Sequence, residues 1–229
     1  MLVSMESLLP LFPLGTVALP GMTVPLHVFE ERYRAMVQDL LAQPDPESRS
    51  FGIVAIREGY EVGAHEARSM YRTGCLMRLS VSERHDDGRY DVAALGLHRF
   101  RVLATETSKP YLRAQVQILV ERLGADVDSV ATAATQALAT YRTYQAAVTG
   151  VRGAGTGSTS VPPELNALSY ALGAGAVLPL SERQRLLEAP TTLERLDLVQ
   201  RQLTEELRAM RALPSLPATD VARSAWSPN

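Results

Sequence analysis

Leu9-Pro10-Leu11-Phe12-Pro13-Leu14-Gly15, Leu19-Pro20-Gly21 and Pro25-Leu26-His27-Val28-Phe29-Glu30-Glu31-Arg32-Tyr33-Arg34 make up the stretch that decides the fold. From Ser7 to Phe29 no residue carries a formal charge, and hydropathy alone would assign a membrane span. Pro10, Pro13, Pro20 and Pro25 forbid that assignment. Each removes a backbone donor and costs about 3 kcal/mol inside a helix, and lipid offers no substitute partner for the groups so freed. The stretch reads as short, buried, proline-punctuated strands, with an amphipathic helix directly after them. From Glu30 to Leu41, Tyr33, Val37, Leu40 and Leu41 fall on one stripe. Gln43-Pro44-Asp45-Pro46 ends the helix, because proline cannot continue the hydrogen-bond ladder. Phe29, at the strand–helix junction, is expected to be a buried anchor.

Period-two patterning continues downstream. Phe51 to Ile56 is a β-branched run. Cys75, Met77, Leu79 and Val81 alternate with Arg78, Ser80, Ser82 and Arg84. Asp87-Gly88 signals a hairpin, since glycine accepts a positive φ. The returning strand places Tyr90, Val92 and Ala94 on one face; Gly96 is read as a turn, with Phe100 and Val102 inward after it. Leu112, Ala114, Val116, Ile118 and Val120 alternate in the same way, and the polar stretch from Glu58 to Ser69 reads as a loop. Sequential antiparallel strands of this kind favour a small barrel or curled sheet whose edges are hidden by closure.

After Gly124 the period becomes helical. Val130, Ala134, Ala137, Tyr141, Tyr144 and Val148 are spaced by three and four, with Asp126 or Asp128 as the cap. Gly150 to Ser160 is expected to be a mobile loop. Pro163 is placed in the first turn of the next helix and Gly173 at its end. Ser181 with Gln184, and Thr191 with Glu194, have capping-box spacing. A last helix aligns Leu193, Leu196, Leu203, Leu207 and Met210 before Pro214 and Pro217. The expected organisation is a β-rich domain over 1–123, a helical subdomain over 124–212 and a disordered tail over 213–229.

Composition narrows the function classes. The net charge of −2 gives no global footprint for nucleic acid or anionic lipid. Cys75 is the single cysteine, so no intrachain disulfide can form, and it reads as a small buried apolar residue. The N-terminus has no basic region ahead of its apolar stretch, which speaks against a signal peptide and makes the cytoplasm the expected compartment. Lys109 is the only lysine and precedes Pro110, so the Gly-Lys-Ser/Thr of a phosphate-binding loop is missing.

The opening motif resembles that of the Lon N-terminal domain, the substrate-recognition module of Lon proteases, which also occurs as a free-standing protein. The resemblance continues through Asp87-Gly88-Arg89-Tyr90-Asp91-Val92, Gly96-Leu97-His98-Arg99-Phe100-Arg101-Val102 and Pro110-Tyr111-Leu112-Arg113-Ala114. It then runs through Leu168-Ser169-Tyr170-Ala171-Leu172, Leu178-Pro179-Leu180-Ser181, Leu186-Leu187-Glu188-Ala189-Pro190 and Glu194-Arg195-Leu196. It spans about residues 9 to 210 and implies an α+β fold: a PUA-like β-barrel with one inserted helix, followed by an all-helical bundle. It also implies a recognition module without motor or protease chemistry. The expected partners are unfolded or apolar protein segments and a separate protease or chaperone. Nucleic acid is disfavoured, no membrane is expected, and the oligomeric state stays open.

No catalytic constellation emerges from the residues. None of His27, His65, His85 and His98 has a second histidine or a cysteine at metal-ligand spacing, so no metal and no cofactor is expected. A cluster assembled only in three dimensions stays open. His27 is read first as a structural hydrogen-bonding group at the strand–helix junction. Glu30 and Glu31 complement a helix dipole rather than forming an acid/base pair. Met22, Val24, His27 and Tyr111 are the candidate peptide-binding residues, although Met22 and Val24 are also ordinary core candidates. Arg99, Arg101 and Arg113 are the candidate RNA-binding residues of the alternative reading, on the outward strand face. A solvated, salt-bridged face is the preferred reading of those arginines, since surface pairs are so often merely solvating.

With Lys109 as sole lysine and no phosphate loop, the purified chain should neither bind nor hydrolyse ATP. Isothermal calorimetry and a phosphate-release assay check this; saturable heat, or turnover abolished by one substitution, would contradict it.

Overall fold

A computed structural model describes residues 8–57, 70–152 and 162–212. The chain divides into two compact units, Met1–Val120 and Glu121–Asn229. Described strands of the first unit are β1 (Leu9–Leu14), β2 (Thr23–Val28), β3 (Ser50–Ala55), β4 (Thr73–Arg84), β5 (Tyr90–Glu106) and β6 (Arg113–Ile118). Helix α1 (Glu31–Leu41) follows β2, with a 3-10 turn at Pro46–Ser48. The strands form one mixed sheet in the order β2-β5-β4-β3-β1-β6; β1 and β3 run parallel and the other pairs antiparallel. β6 also pairs with β5, so β5, β4, β3, β1 and β6 form a closed cycle of pairings with β2 outside it on β5. Closure leaves those five strands no unpaired edge.

Both faces of β3 are buried, which is why it reads as a continuous apolar run rather than an alternating one. One cluster gathers Phe12, Val28, Phe51, Cys75, Met77, Tyr90 and Val92 under Tyr33, Met36, Val37 and Leu40 of α1. The other gathers Leu9, Leu11, Val54, Leu76, Phe100, Val102, Ala114 and Val116. Neighbours such as Leu11 and Phe12, or Leu76 and Met77, point into opposite clusters, as the pleat requires.

Several expectations change at β-bulges and element ends. Gly96 is no turn: β5 runs through it for 17 residues. A Cβ there would collide with the Leu19 carbonyl oxygen and lie 3.1 Å from Cys75 Sγ. The bare glycine lets the chain before β2 close on β5. Gly21 N–H donates to the Gly96 carbonyl (2.8 Å), and Gly96 N–H donates to the Met22 carbonyl (2.9 Å). Val81 is exposed, because the register shift between Leu79 and Val81 breaks the alternation. Val120 is exposed because β6 has ended at Ile118. Phe29 is 47% exposed and is not a buried anchor. Val28 takes the inward position at the end of β2, so the next residue points out as the chain turns into α1.

The second unit contains α2 (Val127–Arg152), α3 (Leu165–Gly175), α4 (Leu180–Glu188) and α5 (Thr192–Ala212). α5 packs against the other three. Val130, Ala134, Ala137, Tyr141, Tyr144 and Val148 line one buried stripe of α2 against Leu172, Leu186, Leu196, Val199 and Leu203. Asp126 caps α2, its carboxylate accepting from Ser129 N–H at 2.9 Å. α2 continues through Gly150–Arg152, into the stretch expected to be a loop; the rest of that stretch, the loop at Glu58–Ser69 and the tail from 213 lie outside the described residues. Pro163 precedes the first turn of α3, and Gly173 is buried inside the helix, which runs to Gly175. Ser181 caps nothing, since α4 has already begun at Leu180. Thr191 does cap α5, accepting from Glu194 N–H at 3.2 Å. The unit division falls before Glu121 because Arg122 and Leu123 carbonyls accept from Thr192 and Leu193 N–H at 2.8 and 3.0 Å.

Arg195 breaks the apolar stripe of α5 and is fully buried. It donates to Glu121 Oε2 at 2.9 Å and lies 3.8 Å over the ring of Tyr170, whose hydroxyl donates to Glu121 Oε1 at 2.7 Å.

Gly96→Ala should destabilise the protein by about 1–3 kcal/mol, because backbone rather than a flexible side chain must move. Urea denaturation followed by circular dichroism checks this; a parental midpoint would show that the approach of Leu19 is not rigid.

Candidate functional site

A cluster of polar and titratable side chains of the first unit converges where β2 ends and the β4–β5 hairpin turns. His27 of β2 is the direct ladder partner of Asp91 of β5. Gly88, at φ 83°, closes the hairpin, with His85 N–H donating to the Arg89 carbonyl and Gly88 N–H to the His85 carbonyl, both at 2.9 Å. The turn brings His85 back to the same carboxylate. His27 Nδ1 lies 2.5 Å from Asp91 Oδ1, and His85 Nε2 lies 2.7 Å from Asp91 Oδ2. These hydrogen bonds, that from His27 first, hold the Asp91 carboxyl below its ordinary pKa. Arg89 Nη1 is 3.2 Å from His27 Nε2, while Arg89 Nε donates to Asp87 Oδ2 at 2.6 Å. Phe29 flanks the group, its ring centroid 6.3 Å from that of His27.

The sequence-derived candidates are not brought together as one wall. Met22 is half-buried against the core cluster, and Val24 is inside it. Tyr111 is also buried, and its hydroxyl donates to Asp39 Oδ2 at 2.6 Å, where Lys109 Nζ donates at 3.1 Å. Only His27 of the four is exposed, and its structural partner is Asp91, a residue far away in the chain. The outward arginine face is also corrected. Arg99 is 2% exposed. It follows the register shift opposite Leu76 and Met77, beyond which β5 exchanges its two faces: Tyr90, Val92 and Ala94 line one cluster, Phe100 and Val102 the other. Arg113 is held by Glu106 Oε2 and Ser108 Oγ, each at 2.7 Å. Arg101 alone of the three remains exposed.

Reading from sequence missed His85, Asp91 and Phe29. A signal existed for the first two, which flank Asp87-Gly88 and meet if that hairpin closes. His27 was named as a candidate, but nothing announced its meeting with these two, which depends on the register of β2 on β5.

The model of the ATP-dependent protease La (LON) substrate-binding domain matches residues 8–205. The chain belongs to this family. Lon protease 2 of Sorangium cellulosum is 31% identical over 120 residues, covering 52% of this chain and 14% of that protein. The Lon protease of Anaeromyxobacter dehalogenans is 25% identical over 194 residues, 84% of this chain and 22% of that one. Protein cereblon of Xenopus tropicalis is 31% identical over 121 residues, half of this chain and 24% of its own. This member of the Lon substrate-binding family thus spans less than a quarter of the curated relatives it matches. Its fold is shared with a Lon N-terminal domain protein from Xanthomonas campestris (TM-score 0.58, 23% identity, 83% of this chain and 95% of that one). It is also shared with the N-terminal domain of Mycobacterium avium complex Lon protease (TM-score 0.60, 18% identity, 86% and 98%). Among the described residues, no helix of this Lon-family chain is long and apolar enough to cross a membrane.

Tyr111→Phe should cost about 1 kcal/mol at neutral pH, by removing the hydroxyl that donates to Asp39. That bond is the main cause holding the Asp39 carboxyl below the ordinary carboxylate range. A carboxyl lowered in the folded state stabilises above its unfolded pKa and loses that contribution as pH falls through the folded one. The difference between parent and variant should therefore be full above about pH 4–5 and shrink on acidification. Urea midpoints at several pH values check it; a difference that grows on acidification would contradict it.

Proposed function

We propose that this Lon-family chain is a non-enzymatic recognition module that binds apolar or unfolded polypeptide segments and serves a separate protease or chaperone in the cytoplasm. The observation that carries this reading is the match of the substrate-binding-domain model across residues 8–205. The closed cycle of strand pairings supports reading the sheet as a PUA-like barrel, and the four helices around one apolar cluster support reading the second unit as a bundle.

Phe29 is the apolar group best placed for contact in the first unit. Val24 and Tyr111 are engaged in the core, whereas Phe29 exposes an aromatic ring beside His27. Aromatic residues bury large area at low entropic cost and dominate recognition surfaces. Half-buried Met22 stands at the opposite end of β2 and offers a separate contact through its adaptable thioether.

A peptide-array screen followed by titration at low and physiological salt tests the reading. The expected affinity is about micromolar, or roughly −8 kcal/mol, with little salt dependence because apolar burial releases no counterions. Phe29→Ala should weaken binding by about tenfold while its denaturation midpoint stays close to the parent's. Arg101→Ala should change binding little. Absence of peptide binding, together with salt-sensitive RNA binding lost in Arg101→Ala, would overturn the proposal.

A further inference from the structure

We propose that His27, His85 and Asp91 form a binding site for a divalent transition-metal ion of the zinc class. One ligand atom from each lies within 4.8 Å of the others. The inference is independent of the polypeptide-binding reading. It rests on a donor set that three separate elements bring together: β2 supplies His27, the hairpin turn supplies His85, and β5 supplies Asp91.

Two imidazole nitrogens and a carboxylate oxygen are the ligands that Zn²⁺ takes, with water completing a tetrahedron. Cu²⁺, Ni²⁺ and Co²⁺ accept the same donors, whereas Mg²⁺ and Ca²⁺ prefer all-oxygen sites. The positions are held before any ion arrives. His27 and Asp91 are ladder partners, and the turn fixes His85 through its own backbone bonds. Both rings already aim a nitrogen at the one carboxylate, at 2.5 and 2.7 Å. Metal–ligand distances near 2.0–2.2 Å require ligand atoms to stand about 3.3 Å apart, so each ring need retreat by less than about 1 Å. All three residues reach the surface, so rotamer adjustment meets no core packing. The ion would take the place of the ring protons now shared with Asp91; each neutral imidazole keeps its one proton, which moves to the nitrogen that does not ligate. Glu83 is paired opposite Asp91 in the ladder and adds a carboxylate to the same sheet face.

Arg89 is the opposing group. Its Nη1 lies 3.2 Å from His27 Nε2. Ligation through Nδ1 leaves the His27 proton on Nε2, which then donates rather than accepts, so Arg89 must leave that contact. Asp87 retains it, through the 2.6 Å bond to Nε. Arg89 therefore lowers metal affinity, and its removal should raise it. A simple surface ion-pair cluster predicts no such gain.

The experiment is calorimetric titration of the full, untagged chain with Zn²⁺ in a non-chelating buffer, with Mg²⁺ as control. One ion per chain is expected, with no heat from Mg²⁺. His27→Gln, His85→Gln and Asp91→Asn should each weaken binding by about tenfold or more, with circular dichroism unchanged. Arg89→Gln should tighten it. Visible absorption of the Co²⁺-loaded protein should show a low-coordinate nitrogen/oxygen site and fade in the same three variants. Lack of saturable binding, or binding that persists undiminished in His27→Gln and His85→Gln, would overturn the proposal. Peptide titration with and without a chelator reads the polypeptide function separately, so either can fail alone.

Discussion

Phe100 of β5 stands where side chains on Gly52 of β3 and Gly74 of β4 would otherwise be: a Cβ on either glycine would come within 2.6 Å of the Phe100 ring. One ring thus fills the space of three side chains on three consecutive strands. Phe100 is also the ladder partner of Gly74 on one side and of Ile118 on the other. The strand that carries the ring therefore joins both ends of the β5, β4, β3, β1, β6 cycle. Protein interiors are packed too densely to absorb an added methyl group at such a point. Side chains at Gly52 or Gly74 would drive β5 outward and open the pairing that closes the sheet.

β5 also sets the geometry of the candidate site. It pairs with β2, β4 and β6, and three register shifts interrupt its ladders. Each extra residue exchanges which side chains face inward. The shifts bury Arg99 and expose Val81, while the unbroken β2–β5 ladder sets Asp91 opposite His27. Gly96 contributes by letting the Leu19–Met22 segment dock on β5, which holds the start of β2 in place. Two backbone bonds and one missing Cβ thereby support the position of an imidazole several residues along.

The surface that results combines an exposed aromatic, two histidines, a carboxylate and an arginine. Phe29 is suited to apolar contact, as the proposed recognition of polypeptide requires, while the neighbouring polar groups satisfy one another through short hydrogen bonds. A zinc-class ion at the histidines would tie β2 to the hairpin beside Phe29 and stiffen the wall against which a segment could lie. In the second unit the comparable polar investment, Arg195 with Glu121 and Tyr170, is buried and serves packing.

The helix positions, the hairpin at Asp87-Gly88 and the inward residues Tyr90, Val92, Phe100 and Val102 were legible from the sequence by itself. So was membership of the Lon substrate-binding family. These follow from local patterns: proline exclusions, a period of two or 3.6, and glycine at a positive φ act over a few residues. Tyr111 marks the limit of that reading, because its aromatic ring suits a binding wall as well as a core, and only the contact with Asp39 decides between them. The junction residue Phe29 was read as buried because it is apolar, yet its exposure depends on where β2 ends. Arg99 was read as outward because it alternates with the inward Phe100, yet the other face of β5 is buried there as well, opposite Cys75. The meeting of His27, His85 and Asp91 was decided only in the tertiary structure. Registry between distant strands is chosen by the packing of the whole sheet, and one added residue in a ladder turns every later side chain to the other face.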